Sequence, residues 1–357
     1  MSKNLEREVQ LDAVSGRRLS SVVELPDQIG RFATVAAASG SEAGVGVLLA
    51  LLPGAEDEVP LPGEGDTLLR FSIMASVASI DVTAARVLEP HLDAIAILAE
   101  AGVPRTGANT TWGVFAAESA TGRLRADPVD DGWRLSGVKP WCSLGERLDA
   151  ALVTAHTGES TRRLFAVSLQ SGDVRSEHHS WVARGLSDVD SGPLQFSNTE
   201  AQPVGSDDWY LARPGFEWGG IGVAATWWGG AVPLCDAIVT SVRSKGPNPL
   251  LENRVGALWQ CMHAARVMIE RAAMLIDDGA RSRDEWAAIA HAVRGATAAA
   301  VDEVLDAVRD ILGPAAICTD ETIASRSADL EIYTAQYHRL RDPASIGRRV
   351  LADKVSW

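Results

Sequence analysis

The chain has 357 residues, a formal net charge of −14 and a sequence pI near 5.0. That length suits two or three domains, or one multi-part enzyme fold with an ample core. The acidity argues against a non-specific nucleic-acid binder, which needs a basic footprint to neutralise phosphates. Cys142, Cys235, Cys261 and Cys318 stand far apart without Cys-x-x-Cys spacing, so neither a zinc site nor a disulfide framework is expected. They read as reduced thiols of a cytoplasmic protein.

The first residues, Met1-Ser-Lys-Asn-Leu-Glu-Arg-Glu-Val9, mix charges and hold no apolar run of signal-peptide type. No later stretch has ~18 consecutive apolar residues, so no membrane span is expected. Residues 1–30 carry charge without clear periodicity, compatible with a helix or a loosely held lead. An Ala-, Gly- and Val-rich stretch at 34–52 runs into loop chemistry at 53–65. Leu68, Leu69, Phe71, Ile73, Met74, Val77 and Ile80 then recur at helical spacing. Asp81 or Thr83 caps a further helix through Ala84, Val87 and Leu88, and 92–101 reads as another apolar helix stopped by Gly102 and Pro104. Three or four helices are expected before residue 110.

Strand signals fill residues 112–169: Trp112-Gly-Val-Phe-Ala-Ala-Glu-Ser119, then Asp130-Asp-Gly-Trp-Arg-Leu-Ser-Gly-Val-Lys-Pro-Trp-Cys-Ser143, then apolar runs at 150–155 and 164–169. Asp131-Gly132 marks a hairpin, because glycine supplies the positive φ of a tight turn. The β insert is expected to end at 193–196, with a polar exit through Pro203, Gly205, Asp207 and Asp208. Pro214-Gly215 opens a helical section whose apolar part, 221–242, is preceded and interrupted by glycines that permit close packing. Residues 244–253 break the pattern. Long helices follow at 253–278 and 283–312, with a stop at Gly313-Pro314. A last helix spans 322–340 and a short tail helix runs to Lys354. The fold expected is mostly α with a central β domain (α+β), divided into 1–110, 111–212 and 213–357.

Familiar catalytic motifs are missing. Gly219-Gly-Ile-Gly222 follows no strand and lacks dinucleotide-fingerprint spacing, so packing explains it better. No Gly-x-Ser-x-Gly elbow occurs. His178-His179 reads as a surface pair, His263 and His291 as packing residues, and Trp227-Trp228 as core or subunit interface rather than an aromatic pocket.

The order of segments resembles the acyl-CoA dehydrogenase family. The resemblance is carried by Phe-Ala-Ala-Glu-Ser at 115–119, by Asp-Gly-Trp-x-Leu-Ser-Gly-x-Lys at 131–139, by Trp141-x-Ser143, and by Leu148-Asp149 before an apolar strand. It covers about residues 65–357. It implies an N-terminal helical domain, a middle β barrel and a C-terminal four-helix bundle, assembled as homodimers or homotetramers. It also implies FAD between barrel and bundle, and oxidation of the Cα–Cβ bond of an acyl thioester carried on CoA or an acyl carrier protein. A carboxylate takes the α-proton, the flavin takes the hydride, and an electron-acceptor flavoprotein is the partner.

By this resemblance Ala117, Glu118, Trp141 and Ser143 meet the flavin edge, Trp141 covering a ring face and Ser143 offering a hydroxyl near N5, while Arg243 pairs with a phosphate and Gly313 marks the second cofactor segment. The chain departs from the family pattern at several points. Ala117 replaces a Thr, Ala120-Thr-Gly-Arg123 replaces a Gly-Ser-Asp loop, and Asp310-Ile-Leu-Gly313-Pro314 replaces Gln-x-x-Gly-Gly. Gln336 or Tyr337 stands where the family's Glu-Gly-Thr is expected, and neither titrates as a base near neutrality. The base is therefore expected at Glu217, at the start of the glycine-rich helix. Three alternatives remain open: a catalytically silent subunit of a hetero-oligomer, a flavin-dependent oxidase or monooxygenase of the same fold, and a helical interaction protein without ligand.

Overall fold

A computed structural model describes residues 19, 25–38, 42–105, 107, 109–120, 122–177, 181–279 and 281–356. The readings made for residues 1–18 and for His178-His179 lie outside the described residues.

Among the described residues four α-helices come first: α1 (Asp27–Ala38), α2 (Glu42–Leu51), α3 (Thr67–Ile80) and α4 (Val82–Glu100). The small-residue stretch at 34–52, whose composition hides its helices, thus supplies the end of α1 and all of α2. Asp81 caps α4 as expected, its side chain accepting from the Ala84 N–H at 2.6 Å. The segments expected as two helices after Asp81 are one. Pro90 sits inside α4, where it removes only the bond to the Arg86 carbonyl, and packing on both sides keeps the helix continuous.

The middle part is a closed sheet. Its strands are β1 (Trp112–Phe115), β2 (Leu124–Val129), β3 (Gly132–Lys139), β4 (Ala150–His156), β5 (Arg162–Ser168), β6 (Val174–Ser176) and β7 (Leu194–Val204). The order β4-β2-β3-β7-β5 closes through pairing of β5 with β4, while β1 and β6 extend it from β4 and β7. This is the expected barrel. The hairpin forms with Val129 opposite Gly132, so its turn residues are Asp130 and Asp131, and Gly132, at φ 139, opens β3. The insert does not end at 196: β7 continues to Val204, passing a register shift opposite Leu135 and Ser136, because it pairs with both β3 and β5.

The C-terminal helices are α5 (Trp209–Ala212), α6 (Pro214–Ser244), α7 (Pro249–Asp277), α8 (Arg283–Ala307), α9 (Gly313–Thr319), α10 (Glu321–Thr334) and α11 (Arg341–Leu351). A π turn at Val308–Leu312 joins α8 to α9. Gly313, at φ 73, redirects the chain, and Pro314 starts α9 rather than ending helical structure. By length and composition α6 could cross a membrane, unlike the expectation from consecutive apolar residues. However, 67 % of its most apolar window is buried against the rest of the protein. Its glycines explain how: a Cβ at Gly229 would lie 2.2 Å from the Ala75 carbonyl oxygen of α3. Trp227 and Trp228 are core residues, as read.

Two features lock the three parts together. Arg326 of α10 donates to the carbonyls of Ala78, Ser79 and Ile80 at the end of α3 and of Gly230 in α6, satisfying acceptors that a helix terminus leaves open. A second apolar core joins Ala94, Ile95, Ile97 and Leu98 of α4 to Trp112, Leu152 and Leu164 of the sheet. The helix α4 is thereby wedged between barrel and bundle.

Candidate active site

The loop after β3 is tightly held. Trp141 and Leu144 both adopt positive φ, 59 and 57, a conformation that costs a side-chain-bearing residue of order 1 kcal/mol. Backbone bonds from Cys142 N to Gly192 O at 3.0 Å and from Leu144 N to Asp190 O at 2.7 Å hold the loop there. Strain maintained by its surroundings is a mark of functional sites. The loop presents an indole with 55 % of Trp141 exposed, next to the Ser143 hydroxyl.

Ser143 is part of a relay. Arg86 Nη2 donates to its Oγ at 3.1 Å, and its Oγ lies 2.8 Å from Ser191 Oγ. Ser191 donates onward to the Val189 carbonyl at 3.1 Å, so Ser143 gives its proton to Ser191 and accepts from Arg86. Arg86 also pairs with Glu89, Nη1 to Oε2 at 3.4 Å, both side chains being 14 % exposed. Glu89 Oε2 in turn accepts from the Tyr333 hydroxyl at 3.4 Å.

This cluster grows from one stripe of α4. Arg86, Glu89, Asp93 and Glu100 follow at spacings of three, four and seven, which puts them on one face. Arg213, with 2 % of its side chain exposed, meets Glu100 at 2.6 Å and Asp93 at 4.0 Å. Burial pushes the Glu89 carboxyl up to about 7, Asp93 adding to the rise and Arg86 and Arg70 opposing it. Burial likewise raises Asp93, against Arg213 and Arg70, and raises the Tyr333 phenol. A cavity of about 10 Å³, the room of roughly one water centre, lies against Arg70, Glu89, Asp93, Trp218 and Gly219. The buried indole N–H of Trp218 has no partner.

The predicted residues divide into groups. Ser143 lies at this cluster, and Trp141 stands exposed on the same loop two residues before it. Ala117 is exposed, and Glu118 bonds to Lys139 Nζ at 2.8 Å, with His156 at 3.1 Å and Arg162 at 3.7 Å. Burial would raise the Glu118 carboxyl, but the Lys139 ammonium outweighs it and holds it below the usual range. Lys139 is 1 % exposed and also reaches the Thr154 hydroxyl and carbonyl. Glu118 is therefore the counter-ion of a buried lysine.

Glu217 lies in the first turn of α6. Consecutive helical residues leave the axis about 100° apart, so while Trp218 faces the cavity, Glu217 faces Arg349, Arg294 and Arg283, which oppose the rise that burial imposes on its carboxyl. Among the described residues it makes no ion pair within 4.0 Å. Arg243 is exposed at the other end of α6, about 40 Å away at 1.5 Å per residue. Gly313 serves the junction of α8 and α9. Gln336 contributes only its carbonyl, which accepts from Arg294 at 3.3 Å, and Arg294 also spans to Gly220 O and stacks 4.6 Å over Trp227.

Arg86, Glu89 and Asp93 were not singled out from the sequence. Charges at three- and four-residue steps on an apolar helix normally mark its solvated face. Pro90 beside Glu89, in a helix that continues, is the one local irregularity there.

No protein-family model matches the sequence, and no curated protein matches it significantly. Butyryl-CoA dehydrogenase from Megasphaera elsdenii superposes with a TM-score of 0.74 at 17 % identity, over 92 % of this chain and 99 % of that one. FMN-bound TdsC from Paenibacillus sp. A11-2, a dibenzothiophene monooxygenase, gives 0.74 at 15 % identity over 92 % and 96 %. A probable acyl-CoA dehydrogenase from Mycobacterium abscessus gives 0.74 at 14 % over 90 % and 97 %. At these identities the likeness is one of fold, and this chain has the acyl-CoA dehydrogenase fold.

Proposed function

We propose that the protein is a flavin-dependent oxidoreductase, with the flavin ring against Trp141 and Ser143. The observation that carries this is the strained loop, which holds an exposed indole and a hydroxyl beside the half-buried pair Arg86-Glu89 and the buried Tyr333, where the three parts of the fold meet. A planar aromatic cofactor fits such a surface: the indole supplies a stacking face and Ser143 a hydrogen-bonding edge. When bound, a flavin accepts a hydride or its two electrons. The chain's own residues orient the ring, exclude water and hold protons.

The finer reading is α,β-dehydrogenation of an acyl thioester, on CoA or an acyl carrier protein, with FAD as cofactor and an electron-acceptor flavoprotein as partner. The family resemblance puts its base at Glu217, an assignment that the bleaching of the Glu217→Gln variant tests, and a cytoplasmic homodimer or homotetramer completes the reading. A second reading, oxygenation of a small molecule, is favoured by the dibenzothiophene monooxygenase among the proteins that share this fold.

The test is the visible spectrum of the purified protein, as isolated and after incubation with FAD or FMN. A bound, oxidised flavin spectrum is expected. Protein that stays colourless with both overturns the proposal and leaves a silent subunit. Anaerobic bleaching by butyryl-CoA supports the dehydrogenase and is lost in Glu217→Gln if Glu217 is its base. A yellow protein inert to the thioester supports the second reading.

A further inference from the structure

Two half-buried carboxylates lie near the junction of barrel and bundle, and their surroundings differ. Glu217 points to the arginine-rich side formed by α8 and α11. Glu89 lies on the side of Ser143. Between them stands Arg294, whose guanidinium senses both. Only Glu89 is joined by direct contacts to the loop that carries Trp141: Glu89 to Arg86, and Arg86 to Ser143.

We propose that Glu89, rather than Glu217, is the proton acceptor of this site, with Arg86 linking it to Ser143 and Tyr333 donating to its ionised form. The inference deepens the flavoprotein reading and rests on it for the identity of the neighbouring ring. The charge change is simple. The carboxylate takes up one proton from the substrate oxidised at the site and becomes a neutral acid; the Tyr333 hydroxyl, which donated to the anion, is then free to accept; and the proton is later released to solvent water by way of the cavity that Glu89 shares with Asp93 and Trp218.

The groups facing Glu89 come from every element packed around it. Arg86 and Asp93 lie on its own helix, Arg70 on α3, Tyr333 on α10, Arg294 on α8 and Tyr210 on α5. Burial is the largest influence and outweighs Arg86, Arg70 and the Tyr333 bond, so a carboxyl so placed changes charge near neutrality instead of far below it. Tyr333 cannot replace it, since burial moves its phenol further from neutrality. A group poised near the working pH is what proton exchange requires.

The experiment uses the full chain and two readouts. The infrared carbonyl band of protonated carboxyls is followed with pH. A component with a midpoint of about 7 is expected in the wild type and in Glu217→Gln, and is expected to vanish in Glu89→Gln. Arg86→Gln removes the attracting cation and should raise that midpoint by about one pH unit or more, which keeps the test open if Glu89→Gln does not fold. A component that survives Glu89→Gln, or that ignores Arg86→Gln, overturns the assignment. The second readout is the visible spectrum of protein reconstituted with FAD or FMN. It should shift with the same midpoint in the wild type and be pH-invariant in Glu89→Gln. A bound flavin that ignores pH in the wild type overturns the link to Ser143. Failure to bind flavin refutes the flavoprotein reading, while the infrared arm still decides whether Glu89 exchanges a proton near neutrality.

Discussion

Replacing Glu89 by Gln should remove the pH dependence that this residue imposes on folding. In the folded protein its carboxyl stays protonated up to about 7, whereas an unburied glutamate ionises near 4.5. Between those values the folded state binds more protons than the unfolded one, so stability falls as pH rises through that window and levels off above about 7. The gap, at about 1.4 kcal/mol per pH unit, comes to about 3 kcal/mol. That is an upper figure, because the side chain is 14 % exposed and nearby cations offset part of the burial. Gln keeps the shape and the bond from Tyr333 and does not titrate. Equilibrium urea unfolding at pH 5 and pH 8, with the slope on denaturant unchanged, provides the measurement. The variant should gain about 2 to 3 kcal/mol on the wild type between the two pH values. Asp81, Asp93, Glu217 and Asp329 are also raised by burial, so the difference between the two proteins is what counts. Equal pH slopes in both would refute the account of Glu89.

Three more outcomes follow from particular contacts. Trp141→Ala should weaken flavin binding about tenfold, the value of one lost aromatic stack, with the thermal midpoint moving by no more than ~2 °C; binding is read by absorbance retained after desalting, and unchanged retention would remove Trp141 from the site. Arg326→Lys cannot span the four carbonyls of α3 and α6, and should cost about 2 kcal/mol in urea unfolding. Gly229→Ala would drive a Cβ into the α3 backbone at Ala75. It should lower stability by ~3 kcal/mol or prevent folding, whereas Gly256→Ala, with open space around it, should be tolerated.

Much of the architecture is written locally. The Asp81 cap, the hairpin at 130–132 and the period of α3 depend on neighbours in sequence, so each forms where its pattern stands. The linked motifs from Phe115 to Asp149 identify the fold for the same reason, since a strand, a turn and a buried lysine with its glutamate are set within a few tens of residues. The joins were less legible. Pro90 reads as a break by local rules, and only packing on two sides of α4 keeps that helix whole. The length of β7 depends on strands far away in the chain.

The candidate site divides along the same line. Trp141 and Ser143 are visible in the sequence because their loop is a motif. Arg86, Glu89 and Asp93 have the spacing of any solvated helix face, and nothing local distinguishes water from a buried cluster as their surroundings. The tertiary structure decides it by laying α3, α6 and α10 over that face, which removes the water and raises the Glu89 carboxyl towards neutrality. The same packing turns Glu217, one helical residue from Trp218, toward a different set of charges. A sequence states which groups can ionise; which of them is held near its own midpoint depends on burial, and burial belongs to the assembled fold.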